Sequence, residues 1–285
     1  MRTSVPVRRT VGYSRGRRAI RRRSAGLSQT RAGAALAAVV SAIALYGLVA
    51  SPVFAFRHLA IEGASLTTEA DLAAQLGVEQ GANLFQLTTR PISDRLATLP
   101  TVASVDVSVR LPDSLAIQLH EREPIMVWQV AGGRFLVDAQ GFLFAVAPDT
   151  SSGSARGLPV IDDQRAASAG LAVGQSLSPI DLDAATRLGA LKPSQLGSIA
   201  SSLAFSVDDT DGYVVGTQPA SWTAVFGFYT PTMRKADLIP GQVRLLGSLL
   251  AKAGESKVAR VILATDRDGT YEPRATPRSS ASPKP

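Results

Sequence analysis

Two histidines and two aspartate-rich stretches are the features of this 285-residue chain whose residue types could do chemistry. Catalysis by histidine needs a nucleophile or carboxylate within hydrogen-bond reach. His120 alternates with Gln118 and Arg122 along an extended stretch, which places it on a polar, solvated face. His58 has no Asp–Ser pattern near it. The stretches Asp208-Asp209-Thr210-Asp211-Gly212 and Asp266-Arg267-Asp268-Gly269 have the oxygen density of a calcium loop. Neither carries the glutamate that closes an EF-hand loop. Asp and Gly in such runs read better as hairpin turns. Gly-x-Ser-x-Gly, Walker and dinucleotide-binding patterns are missing from the sequence. With no cysteine, disulfides, thiolate metal sites and cysteine nucleophiles are removed as well. No catalysis, metal or cofactor is expected, and the chain should work by binding.

The elements that would position a binding site begin with a charge asymmetry. Residues 1–31 hold ten arginines and no acidic residue, while residues 32–285 hold 20 basic against 23 acidic residues, a balance of −3. The whole-chain charge of +7 therefore belongs to a short head, which argues against a basic nucleic-acid-binding domain. Residues 32–56 then run for 25 positions without a formal charge. About 20 apolar helical residues cross the hydrocarbon core, so a transmembrane helix is expected over 32–55. Gly33, Ser41, Gly47 and nine alanines would let another helix pack closely against it. The arginine flank predicts a cytoplasmic N-terminus, anionic lipid contact for the head, and an outer location for all that follows. A cleaved signal peptide or twin-arginine export is the alternative, because Val53-Phe54-Ala55 resembles a cleavage site. The lengths of the head and of the apolar run favour a retained anchor.

After the anchor the periodicity changes. Residues 56–62 alternate as a strand. Thr67 and Thr68 precede a short amphipathic helix over 69–76 that Gly77 ends. A second helix over 89–98 carries Pro91 in its first turn and stops at Leu99-Pro100. Val105, Val107 and Val109, then Leu115, Ile117 and Leu119, mark two alternating strands around the turn Leu111-Pro112-Asp113-Ser114, a hairpin. The order is strand, helix, helix, strand, strand, a three-stranded sheet covered by two helices.

These residues resemble a known family. Gly63, Gly81-x-Asn83-Leu84-Phe85, Leu99-Pro100-x-Val102, Leu111-Pro112-x-x-Leu115-x-Ile117 and Glu121-Arg122-x-Pro124 are similar to the POTRA domain of the FtsQ/DivIB cell-division proteins. The resemblance continues through Leu136-Val137-Asp138-x-x-Gly141 and Leu158-Pro159-Val160-Ile161. It implies an α+β chain: a transmembrane helix, a POTRA domain over 56–123, a mostly antiparallel β-domain with flanking helices over 124–271, and a disordered tail over 272–285. The POTRA motif residues Gly63, Gly81, Asn83, Pro100, Pro112, Glu121, Arg122 and Pro124 read as mainly structural, through turns, element ends and a solvated ion pair.

In residues 124–270 short strands alternate with Gly, Pro, Asp and Ser clusters, and two helices are expected, over 181–191 and 242–253. The resemblance implies that a late strand of this region offers an open edge to bitopic partners like FtsB and FtsL. Through them it would position an FtsW/FtsI-like septal peptidoglycan synthase. Addition of a partner strand would use main-chain bonds for affinity and alternate side chains for specificity. The expected edge is the strand over 258–265, with Val261, Leu263, Thr265, Asp266, Arg267, Gly269 and Tyr271. Trp222, Phe226, Phe228 and Tyr229 are expected in a neighbouring hairpin. POTRA domains also occur in outer-membrane assembly proteins, a further alternative, but those usually carry several copies followed by a barrel, and the single copy here leaves too few residues for the larger barrels.

Overall fold

The computed structural model describes residues 29–148, 153–232 and 234–275. Most of the arginine head and the tail beyond residue 275 lie outside them. Two compact units divide between Ser51 and Pro52. The first contains one helix, α1 (Gln29–Val49), with no buried residue. The stretch Gln29–Phe54 reaches a mean hydropathy of 2.1 and is long and apolar enough to cross a membrane. This is compatible with a single-pass membrane protein.

The second unit opens with a short 3₁₀ turn at Pro52–Phe54. Then follow β1 (His58–Glu62), α2 (Glu69–Leu76), α3 (Arg90–Leu96), β2 (Val102–Arg110) and β3 (Ser114–Glu121). β3 is the central strand, parallel to β1 and antiparallel to β2. The local chemistry of α2 sets its limits. The Thr68 hydroxyl accepts a hydrogen bond from the Asp71 amide at 3.1 Å, and Gly77 closes the helix in a left-handed conformation at φ +59°. Leu72 and Leu76 of α2 join Ile92 and Leu96 of α3 over Leu115, Ile117 and Leu119 of β3. Each such buried side chain contributes roughly 1.5–3 kcal/mol of transfer free energy. Gly63 ends β1 at φ +84°, and a Cβ there would lie 2.1 Å from the Leu119 carbonyl oxygen. Only glycine meets both conditions.

The rest of the chain builds one nine-stranded sheet. Its strands are β4 (Met126–Val130), β5 (Gly133–Val137), β6 (Leu143–Val146), β7 (Val160–Asp163), β8 (Ser202–Asp208), β9 (Gly212–Gln218), β10 (Thr223–Gly227), β11 (Val258–Leu263) and β12 (Gly269–Pro273). Their spatial order is β12-β11-β10-β9-β8-β7-β4-β5-β6. The pairings β4–β7, β7–β8 and β10–β11 are parallel and the other five antiparallel. Helices α4 (Pro179–Gly189) and α5 (Ile239–Ala253) bring Ala184, Leu188, Leu246 and Leu250 into one core with Trp128, Val215, Phe226 and Val261.

Two expectations are corrected. The strand over 258–265 is not an edge: β11 lies between β10 and β12. Residues 223–227 form β10, one arm of the antiparallel β9–β10 hairpin, which pairs with β11 in parallel on its other side. Glu272 and Pro273 belong to β12 and not to a tail. The common cause is the turn at Thr265–Asp268. The Thr265 hydroxyl accepts from the Arg267 and Asp268 amides at 3.1 and 2.9 Å, and this folds the chain back for one more strand.

Candidate functional site

Two regions of the second unit bring the sequence-derived residues together. The first is the junction after β3. Glu121 turns back onto the loop before α2, where its carboxylate accepts the Ser65, Leu66 and Thr67 amides at 2.7–3.0 Å and the Ser65 hydroxyl at 2.5 Å. Burial pushes this carboxyl up, but the hydrogen bonds from Ser65, Thr67 and Leu66 outweigh it and hold its pKa at about 2. Arg122 points the other way. Its Nε donates to the Pro100 carbonyl at 3.0 Å, its Nη1 pairs with buried Asp138 at 2.6 Å, and its guanidinium lies 4.5 Å from the Phe142 ring centre. The Asp138 carboxylate also accepts the Gln140 and Phe142 amides at 2.9 Å. Leu66 packs with Val127, Leu136 and Phe144 in a small apolar cluster. The three-stranded and nine-stranded sheets are thus joined by a charged contact and a shared core. Glu121 and Arg122 are not a pair with each other, since each is committed to a different element.

The second region is the outer edge of β12. All five of its residues are exposed. Its inner side pairs with β11 in the register Leu263 to Gly269, Ile262 to Thr270 and Val261 to Tyr271. A Cβ on Gly269 would meet Leu245 and Leu249 of α5 at 3.2 and 3.3 Å, so Gly269 faces that helix. Tyr271, two positions on, shares this face and is 42% exposed. Arg274 fixes the end of the strand: its amide donates to the Lys257 carbonyl and its guanidinium to the Ser221 carbonyl.

The burial pattern sorts the expected partner-contacting residues. Val261, Leu263, Trp222, Phe226 and Tyr229 are buried and belong to the core. Their side chains hold the sheet and cannot meet a partner in this fold. Phe228 is exposed, and Arg267, Gly269 and Tyr271 lie at or beside the free edge. Thr265 and Asp266 are half-buried in the turn that starts β12.

The family model for the POTRA domain, FtsQ-type, matches residues 54–122. The chain thus carries a POTRA domain of the FtsQ type and is similar to FtsQ cell-division proteins. It is 30% identical over 193 residues to the cell division protein FtsQ of Mycobacterium leprae, covering 63% of this chain and 51% of that one. It is also 30% identical over 112 residues to the FtsQ of Mycobacteroides abscessus, covering 39% and 34%. With the FtsQ of Rickettsia bellii it shares 34% over 89 residues, covering 31% and 33%. The matched segments thus span from a third to about half the length of these relatives.

The first aspartate-rich stretch is occupied by structure. Asp208 accepts the Thr210 and Asp211 amides at 2.7 Å in the β8–β9 turn, and Asp211 pairs with Arg260 at 2.6 Å. His120 is exposed on β3. Among the described residues no three metal-binding side chains gather.

Sequence reasoning missed a buried polar cluster. Asp163 accepts from Trp128 Nε1 at 3.2 Å and from Arg165 Nε and Nη2 at 2.8 Å, while Arg165 Nη1 reaches Asp181 at 3.0 Å. The Tyr213 hydroxyl donates to Asp181 at 2.7 Å. Burial raises the Asp163 carboxyl, but the Arg165 bonds outweigh it and leave it below the ordinary carboxylate range. This cluster ties the start of α4 to the sheet. Asp163 and Arg165 are two apart and Asp181 is distant, so no local spacing announced it.

Proposed function

We propose that this chain is a cell-division protein of the membrane, anchored by its single apolar helix, with its POTRA and β-domains outside the cytoplasm. It would act as a scaffold at the division septum. The outer edge of β12 receives a strand from an FtsB/FtsL-like bitopic partner, and that partner connects to an FtsW/FtsI-like septal synthase. The arginine head lies on anionic lipid at the cytoplasmic face. The supporting observation is the outer side of β12: five exposed residues with no strand paired outward among the described residues, on a strand whose inner side pairs with β11. Edge strands of this kind are templates for another chain, and natural proteins cover or blunt them. Glu272, Pro273 and the flanking Arg267 and Arg274 blunt this one against indiscriminate pairing.

Affinity in strand addition comes from the main chain, so the test uses proline. Proline at Thr270 and proline at Tyr271 remove successive amides, one facing β11 and the other facing outward. With the full chain, one of the two should lose capture of the FtsB-like partner and midcell placement of a fluorescent fusion while keeping the wild-type melting transition. Retention of capture and midcell placement by both variants, with both folded, would contradict the reading.

A further inference from the structure

The motif Gly81-x-Asn83-Leu84-Phe85 is not used by the edge of β12, and its geometry is distinctive. Leu84 is buried, while Phe85 stands 49% exposed. The Asn83 side chain accepts the Phe85 amide at 2.9 Å and so fixes the turn that sends Leu84 inward and Phe85 outward. This turn is zipped onto the first residues after the anchor. The Leu84 amide donates to the Phe54 carbonyl, the Phe56 amide to the Ala82 carbonyl and the Gly81 amide to the Phe56 carbonyl, all at 2.8–2.9 Å. Phe54 and Phe85 meet edge to face at 4.7 Å.

The same end of the sheet carries the other exposed apolar groups. Between residues 52 and 122 the large hydrophobic side chains that stay exposed are Val53 at 57%, Phe85 at 49% and Leu111 at 53%. Val53 lies in the turn that follows the anchor. Leu111 is in the β2–β3 turn, whose Asp113 carbonyl accepts the Arg57 and His58 amides at 2.9 and 3.2 Å. All three are therefore held at the end of the three-stranded sheet where the chain enters the domain. Arg57 and Arg110, both exposed, flank it.

We propose that this end of the POTRA domain is a lipid-contacting foot: Val53, Phe54, Phe85 and Leu111 enter the interfacial layer, and Arg57 and Arg110 meet anionic head groups. The proposal rests on the reading of residues 29–54 as a membrane span. Aromatic side chains favour the interface, where one part is apolar and the other wet. Phe85 is carried on an ordered, hydrogen-bonded turn, so little conformational freedom is lost when it inserts.

The chain has no cysteine, so single-cysteine labels need no background removal. Full-length Val53→Cys, Gln86→Cys and Ile199→Cys would carry an environment-sensitive fluorophore in phosphatidylcholine/phosphatidylglycerol vesicles containing lipids with a quencher near the head group. Ile199 is 94% exposed and serves as the remote control. The foot predicts about two-fold quenching at both Val53 and Gln86 and almost none at Ile199. It also predicts that Phe85→Ser with Leu111→Ser abolishes most quenching at Gln86 and spares Val53. Quenching at Val53 but not Gln86 would overturn the foot and leave the anchor standing. Quenching at Gln86 that survives the double substitution would reduce the foot to proximity and overturn the contact. No quenching at Val53 would overturn the anchor, and the foot with it.

Discussion

Arg122 and Asp138 meet at 2.6 Å across the junction between the three-stranded and the nine-stranded sheet. Asp138 is almost fully buried and Arg122 lies half-buried over the Phe142 ring. Loss of Arg122 leaves this buried carboxylate short of its main counter-charge. Arg122→Gln should lower the unfolding free energy by about 2 kcal/mol, read by urea denaturation. Arg122→Lys should not restore it, because an ammonium cannot serve the Pro100 carbonyl and Asp138 with one planar fork.

Glu121 gives a pH signature. Its folded pKa of about 2 lies below the ordinary 4.5, so its contribution is fully present above the unfolded value and is lost as the pH falls from about 4.5 towards 2. Glu121→Gln should therefore cost stability at pH 7 and progressively less below pH 4.5. Parallel denaturation curves of the two proteins at pH 7, 4 and 3 check this. A difference that stays constant across the range would contradict the carboxylate's role.

Val261 and Tyr271 separate core from edge. They are direct neighbours in the β11–β12 register, yet Val261 is buried and Tyr271 exposed. Val261→Ala should cost roughly 2 kcal/mol through lost burial and a cavity. Tyr271→Ser should change stability by less than about 0.5 kcal/mol while weakening partner capture. Thermal melts paired with capture assays distinguish them.

Gly63→Ala tests the end of β1. The residue would have to adopt φ +84° with its Cβ against the Leu119 carbonyl. A loss of at least about 2 kcal/mol is expected, and Gly63→Val should be worse. A melting comparison decides it.

Elements with one buried face were legible in the sequence. β2 and β3 alternate because one side closes over α2 and α3, and Thr68 and Gly77 mark α2 because their side-chain and backbone chemistry is local. β7 and β12 were not. β7 is four residues held between parallel neighbours, where pairing comes from distant strands and leaves no repeat to count. β12 is exposed on every residue, so it has no apolar period, and its Gly and Pro read as loop. The same blindness misassigned the edge. A run as apolar as residues 258–263 signals burial on both faces, and the strand that leaves an edge open is the polar one beside it. Glu121 and Arg122 were visible as a motif, but their opposite commitments depend on where residues 65–67 and Asp138 arrive in space.

Hydrogen exchange at the β12 amides tests the strand-addition claim most directly. The full chain would be compared with and without the outer segment of its FtsB-like partner, and exchange followed residue by residue over 269–273. Outward-facing amides of β12 should exchange freely in the protein alone and slow by at least about ten-fold when the partner is bound. Binding that leaves these amides unprotected, with protection appearing elsewhere on the surface, would contradict the account.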